Sequence, residues 1–219
     1  MNRAFLLTIL LALIVFNGCK VRHDPRGSVN EASLPPRSIE QQLPQNPSPQ
    51  LKQLIASAIE QTGVTTGYDP AYVRLQYPGG DVPPETGVCS DVLVRAFRRA
   101  SVDLQKEVHE DMKATWSRYP RKWGAPGPDT NIDHRRVLNL MTFFDRKGKT
   151  VPITTNREDY LPGDLVAWDL GGGVPHIGVV SNLAPESTKN FLIIHNIGAG
   201  TRAEDVLFNW KITGHYRYF

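Results

Sequence analysis

Apolar positions along the chain follow a helical period in its first half and a strand period in its second. Leu51, Leu54, Ile55, Ala58 and Ile59 trace one face of a helix that Gly63 and Gly67 bring to a stop. In Thr86–Ala100, Cys89 shares a face with Val92, Leu93, Ala96, Phe97 and Ala100, while Arg95, Arg98 and Arg99 are expected to meet solvent. Thr86 suits the N-cap of this helix, and Asp91 suits the positive end of its dipole. Two further helices are predicted, within Val102–Tyr119 and over Asn131–Phe144, the latter with Val137, Leu140, Met141 and Phe144 inward. Short strands follow at Gly163–Trp168, His176–Ser181, Phe191–His195 and Ile212–Phe219, joined by turns. Helices followed by an antiparallel meander of strands define an α+β class.

The ends of this pattern set the compartment. Met1-Asn-Arg followed by the apolar run Ala4–Phe16 is too short for a membrane span and reads as an export signal over residues 1–18. It ends at Gly18-Cys19, which resembles the lipoprotein signal in which the cysteine is acylated and becomes the mature N-terminus. Ordinary cleavage nearby is the alternative. Residues 19–49 are rich in Pro, Gln, Asn and Ser and read as a flexible tether, leaving 50–219 as one catalytic-sized domain. A net charge of +3 over 219 residues gives no footprint for nucleic acid. With only Cys19 and Cys89 there is no disulfide framework and no cysteine zinc site.

Cys89 is therefore either buried or used. At the first turn of a helix, free N–H groups and the dipole favour thiolate over thiol; a small core cysteine is the competing reading. His176 opens one strand and His195 closes the next. Pairing about a turn centred near Pro185-Glu186 sets the two rings directly opposite one another, with Gly178 leaving room beside them. The cysteine helix laid against this face yields Cys89 as nucleophile, His176 as base and His195 as its orienting partner, with the Cys89 N–H as an oxyanion donor. Tyr77, Asp91 and His134 are candidates for touching substrate. His109, Glu110, Asp111, Asp133 and His134 lack the i, i+4 histidine spacing of a zinc helix, so no metal and no cofactor is expected.

Gly87-Val-Cys-Ser-Asp91, Pro162-Gly-Asp-Leu-Val166, His176-Ile-Gly-Val-Val180 and Phe191-Leu-Ile-Ile-His195 resemble the NlpC-type branch of papain-like cysteine peptidases, which cleave bacterial cell-wall peptides. Val88-Cys-Ser-Asp-Val92, Val108-His-Glu-Asp-Met112, Asn131-Ile-Asp-His-Arg-Arg136, Trp168-Asp-Leu170, His195-Asn-Ile-Gly198 and Ile212-Thr-Gly-His-Tyr-Arg-Tyr218 resemble the YijF-like family, a bacterial domain of unknown function, over most of the chain from Leu51. The resemblance implies a papain-like, NlpC-type fold with N-terminal helices packed on the sheet. It also implies Cys89, His176 and His195 as the catalytic residues, and adds Trp168 and Asn196 as candidates for substrate binding. Val88 and Asp91 stand where that branch carries aspartate and glycine, and residues 101–161 form a helical insertion expected to cap the cleft. The implied activity is thiol-dependent hydrolysis of an amide bond in peptidoglycan peptides, in the periplasm or cell envelope, with the membrane as a partner through acylated Cys19. Acyl transfer on the same scaffold, or a groove that binds wall peptides without turnover, are the alternatives.

Overall fold

The computed structural model describes residues 38–43, 46–188 and 190–219, so the expected export signal and the expected acylation site Cys19 lie outside the described residues. Four helices precede most of the strands: α1 (Pro49–Glu60), α2 (Cys89–Arg99), α3 (Leu104–Thr115) and α4 (Val137–Arg146), the last preceded by a 3₁₀ turn at Asp133–Arg135. The strands are β1 (Ser38–Glu40), β2 (Leu165–Asp169), β3 (Pro175–Val180), β4 (Leu183–Pro185), β5 (Ile193–Asn196), β6 (Thr201–Glu204) and β7 (Lys211–Tyr216). Five of them form one antiparallel sheet in the order β6-β5-β3-β2-β7, and β1 pairs with β4 in a separate ribbon. The expected α+β fold, helices packed on an antiparallel sheet, is what the chain adopts.

Two apolar layers sandwich the sheet. Strand alternation sends Leu165, Ala167, Ile177, Val179 and Ile194 to one face, where they bury against Val92, Leu93, Ala96 and Phe97 of α2. It sends Val166, Trp168, Val180 and Ile193 to the other, beneath Tyr160 and Leu207. The sequence itself encodes this: Leu165 to Trp168 is apolar at every position, as a strand buried on both faces must be.

Four local expectations are corrected. Helix α2 is capped at Val88, not Thr86: the Asp91 carboxylate accepts the Val88 N–H at 2.7 Å, completing the first turn from within the helix. Arg95 is not a solvent residue but is 9% exposed, donating to Asp81, Thr65, Val82, Pro83 and Thr86 and so fastening the 81–86 loop that delivers Cys89. Ser38–Glu40, assigned to the flexible tether, lies in register on Leu183–Pro185, and Asn182 holds Glu40 and Gln41 by its amide. Finally, β3 and β5 pair with Val179 opposite Ile194 and Val180 opposite Ile193, which sets Gly178, not His176, across from His195. The connection between them is no tight turn, because it carries β4.

Candidate active site

Cys89 opens α2, and its sulfur lies against the end of β3. The backbone N–H groups of Ile177, of Ser90 and of Cys89 itself all favour the thiolate. Burial nonetheless outweighs them and, with the charge of Asp91, pushes the thiol up to about 11. The expectation that the helix N-terminus ionises this cysteine is thus corrected: the resting side chain is a neutral thiol. It forms part of the wall of a cleft of about 420 Å³ with Tyr68, Tyr72, Trp123, Arg135, Arg136 and Pro175.

The two histidines meet as a pair. His176 Nε2 lies 2.8 Å from His195 Nδ1, and His195 Nε2 lies 2.8 Å from the Glu204 carboxylate. They meet diagonally across the strands, because the glycine at 178 leaves the space: a Cβ there would come within 3.2 Å of His195 Cβ and collide with Ile193. A register displaced by two residues keeps both rings on the same sheet face, which is why the pairing survives the correction.

The chain of contacts assigns the protons. Glu204 is held below its usual range by the His195 hydrogen bond, so it is a carboxylate that only accepts. His195 must then donate through Nε2, and, in its neutral form, accept at Nδ1. His176 accordingly donates through Nε2, leaving its Nδ1 as a bare lone pair. Burial, reinforced by His195, holds the His176 ring down at about 3, so it is neutral and a weak base, with an unshared lone pair at Nδ1. Trp168 and Trp210 flank this imidazole, with centroids at 5.8 and 6.2 Å. Glu204 was not among the expected site residues. Its strand is four residues long with polar side chains at three of them, and the β5–β6 pairing brings it alongside His195.

One part of the expected geometry is not found. Helix α2 packs on the face bearing Ile177 and Val179, whereas alternation turns His176 and His195 to the opposite face, with Trp168 and Ile193. Among the described residues no hydrogen bond joins the Cys89 sulfur to either imidazole. The sulfur reaches the histidine strand at its starting end, through the backbone of Ile177, and not across a shared face.

The five candidates for substrate contact are placed elsewhere than the cleft. Asp91 is 2% exposed, taken up as the helix cap and clamped by Arg135, with Nε–Oδ1 and Nη2–Oδ2 both at 2.9 Å. His134 is buried beside α2, and burial lowers it to about 4. Tyr77 sits edge-on to His109 of α3, at 5.3 Å. Trp168 is fully buried, donating its indole N–H to Leu207 and forming the floor under His176. Asn196 donates to the carbonyls of Gly67 and Gly87, tying β5 to the loop ahead of Cys89. Tyr68 and Tyr72, from the same tyrosine-bearing loop as Tyr77, line the cleft instead, and the Tyr68 hydroxyl is raised by burial and by Cys89. The 101–161 segment contributes Trp123, Ile132, Arg135, Arg136 and Val137 to the cleft wall. Among the described residues no cluster of three or more His, Cys, Asp or Glu has a geometry to hold a metal.

An antiparallel sheet with helices on one face, a buried cysteine at a helix start and a histidine pair on the sheet's opposite face define an α+β protein. The chain belongs to the family described as "Domain of unknown function (DUF1287)", whose model matches residues 55–218. It is 53% identical over 193 residues to the uncharacterized protein YijF of Escherichia coli (strain K12), covering 88% of this chain and 91% of that one. Among solved structures it is similar to NlpC1 from Trichomonas vaginalis, with a TM-score of 0.42 and 13% identity over 82% of this chain. It is also similar to an NLP/P60-family lipoprotein-like protein from Staphylococcus aureus subsp. aureus Mu50, with a TM-score of 0.39 and 14% identity over 82% of this chain. The chain spans 46% and 44% of the length of those two proteins.

Proposed function

We propose that this protein is an exported thiol-dependent hydrolase that cleaves an amide bond in the peptide part of peptidoglycan. The observation that carries the reading is the relay Glu204–His195–His176, which leaves His176 Nδ1 bare on the residue next to the one whose N–H faces the Cys89 sulfur. In this reading Nδ1 takes the thiol proton as the sulfur attacks the carbonyl carbon, and the N–H groups at the start of α2 receive the negative charge that develops on oxygen. The imidazolium returns the proton to the departing amine. Water, deprotonated by the same nitrogen, then opens the thioester and frees the acid. The geometric fit to the first step is indirect, since the ring and the helix occupy opposite faces of the sheet; the ring has to meet the sulfur around the end of β3. Acylation of Cys19 would hold the domain beside the wall it acts on.

A non-catalytic groove is the reading favoured by one observation, the thiol pushed up to about 11, which is the state of a structural cysteine. The two are separated by digesting purified wall fragments and identifying the products by mass spectrometry. The hydrolase reading expects new amine and carboxyl termini with wild type and none with Cys89→Ala, which still binds the fragments. Glu204→Ala is expected to lose roughly tenfold or more in kcat. Its pH profile should be shifted, because the relay no longer fixes the tautomer. Binding without cleavage by wild type would establish the groove instead.

A further inference from the structure

Beside the cysteine cleft lies a larger cavity, of about 730 Å³, which shares Tyr72, Trp123, Ile132 and Arg136 with it. No residue of the thiol–imidazole site lines this cavity. Among its lining residues is Asn139, 2% exposed, whose Nδ2 donates to the Asp133 carbonyl at 3.0 Å and whose Oδ1 is buried with no hydrogen bond. The donation to Asp133 fixes which end of the amide is oxygen. A buried acceptor of this kind is destabilising unless a donor reaches it. Asp133 presents a second acceptor on the same wall, since both His109 and the Asp129 N–H bond to its Oδ2 and leave Oδ1 free of hydrogen bonds among the described residues.

The rim supplies the complement. The Arg136 guanidinium lies 4.2 Å above the Trp123 ring and makes no hydrogen bond or ion pair among the described residues, so its donors are unspent. Trp123 is 53% exposed and Tyr72 57%, two broad aromatic surfaces on one opening. A ligand here must offer donors to Asn139 and Asp133, acceptors to Arg136, and an apolar face to the rings. An ammonium satisfies the acceptors alone, and the guanidinium already stacked on Trp123 repels it. A neutral pyranose offers all three: hydroxyls that both donate and accept, and a C–H face that packs on an aromatic ring.

We propose that this cavity is a saccharide subsite, so that the peptide reaching Cys89 is one still joined to a glycan chain. This rests on the hydrolase reading for its purpose but not for its test. Binding of a β-1,4-linked N-acetylglucosamine trisaccharide is measured by tryptophan fluorescence and by NMR titration on the full chain carrying Cys89→Ala, where no turnover occurs. Saturable binding is expected, weakened roughly tenfold or more by Trp123→Ala and by Asn139→Leu. Melting temperature is recorded for each variant. Trp123 is largely exposed, so its removal keeps the question open even if the Asn139 variant fails to fold. The proposal is overturned if the trisaccharide does not bind, if it binds both folded variants as tightly as the parent, or if a short peptide amine without sugar displaces it from the cavity. Loss of saccharide binding leaves wall-peptide hydrolysis by wild type to stand or fall separately.

Discussion

At Cys89 two effects oppose one another, and their relative size decides the resting state. Three N–H groups and a helix N-terminus favour the thiolate, yet removal from water disfavours it more, and the thiol is held at about 11. Raising the pH therefore creates the nucleophile and does not consume it. Carbamidomethylation of Cys89 should accelerate about tenfold per pH unit above neutrality and level off near pH 11, followed by intact-mass spectrometry. A plateau already reached at neutral pH would show a resting thiolate instead. The cysteine, its two histidines and their mutual pairing were legible from spacing alone. The sign of the cysteine's shift was not, because burial is a property of everything that packs around it: α2, β3 and the insertion loops. Glu204 and Tyr68 were illegible for a related reason, since each reaches the site only through a pairing or a loop path with no local periodicity.

At the scale of elements, the site depends on how the start of α2 is held. Arg95 reaches six groups of the 65–86 segment, and Arg135 clamps the Asp91 that caps the helix. An arginine on a helix reads as a solvated residue; it is buried here because the Pro-rich loop folds over it and offers carbonyls that need donors. Arg95→Met should lower unfolding free energy by about 3 kcal/mol in urea titration, while Arg98→Ala, at a half-exposed pair, should cost under about 1 kcal/mol. Equal effects would mean the loop is held by something else. Helix positions and strands β2, β3, β5 and β7 followed from the apolar pattern. The missing strands β1 and β4 are only three residues long, β6 has polar side chains at three of its four positions where β5 opens on two isoleucines, and it was β4 inside the β3–β5 connection that displaced the register by two.

For the whole molecule, burying neutral histidines links stability to acid. His176 and His134 are held near 3 and 4 in the fold against 6.5 when exposed. The unfolded chain binds protons that the folded chain refuses as pH falls below about 6.5, so the stabilisation present above that value is lost progressively down to the folded values. The melting temperature should drop by several degrees between pH 7 and pH 4.5, and His134→Phe should flatten the slope. A melting temperature unchanged over that range would mean the folded chain takes up as many protons as the unfolded one. The same neutrality governs the proposed catalytic pair, and histidine side-chain nitrogen NMR reads it directly. The account predicts His176 protonated at Nε2 and bare at Nδ1 at neutral pH, with the Nδ1 resonance moving when Cys89 is blocked as a methyl disulfide while those of His109 and His215 stay in place. A proton on His176 Nδ1, or an Nδ1 resonance indifferent to the state of Cys89, would contradict it.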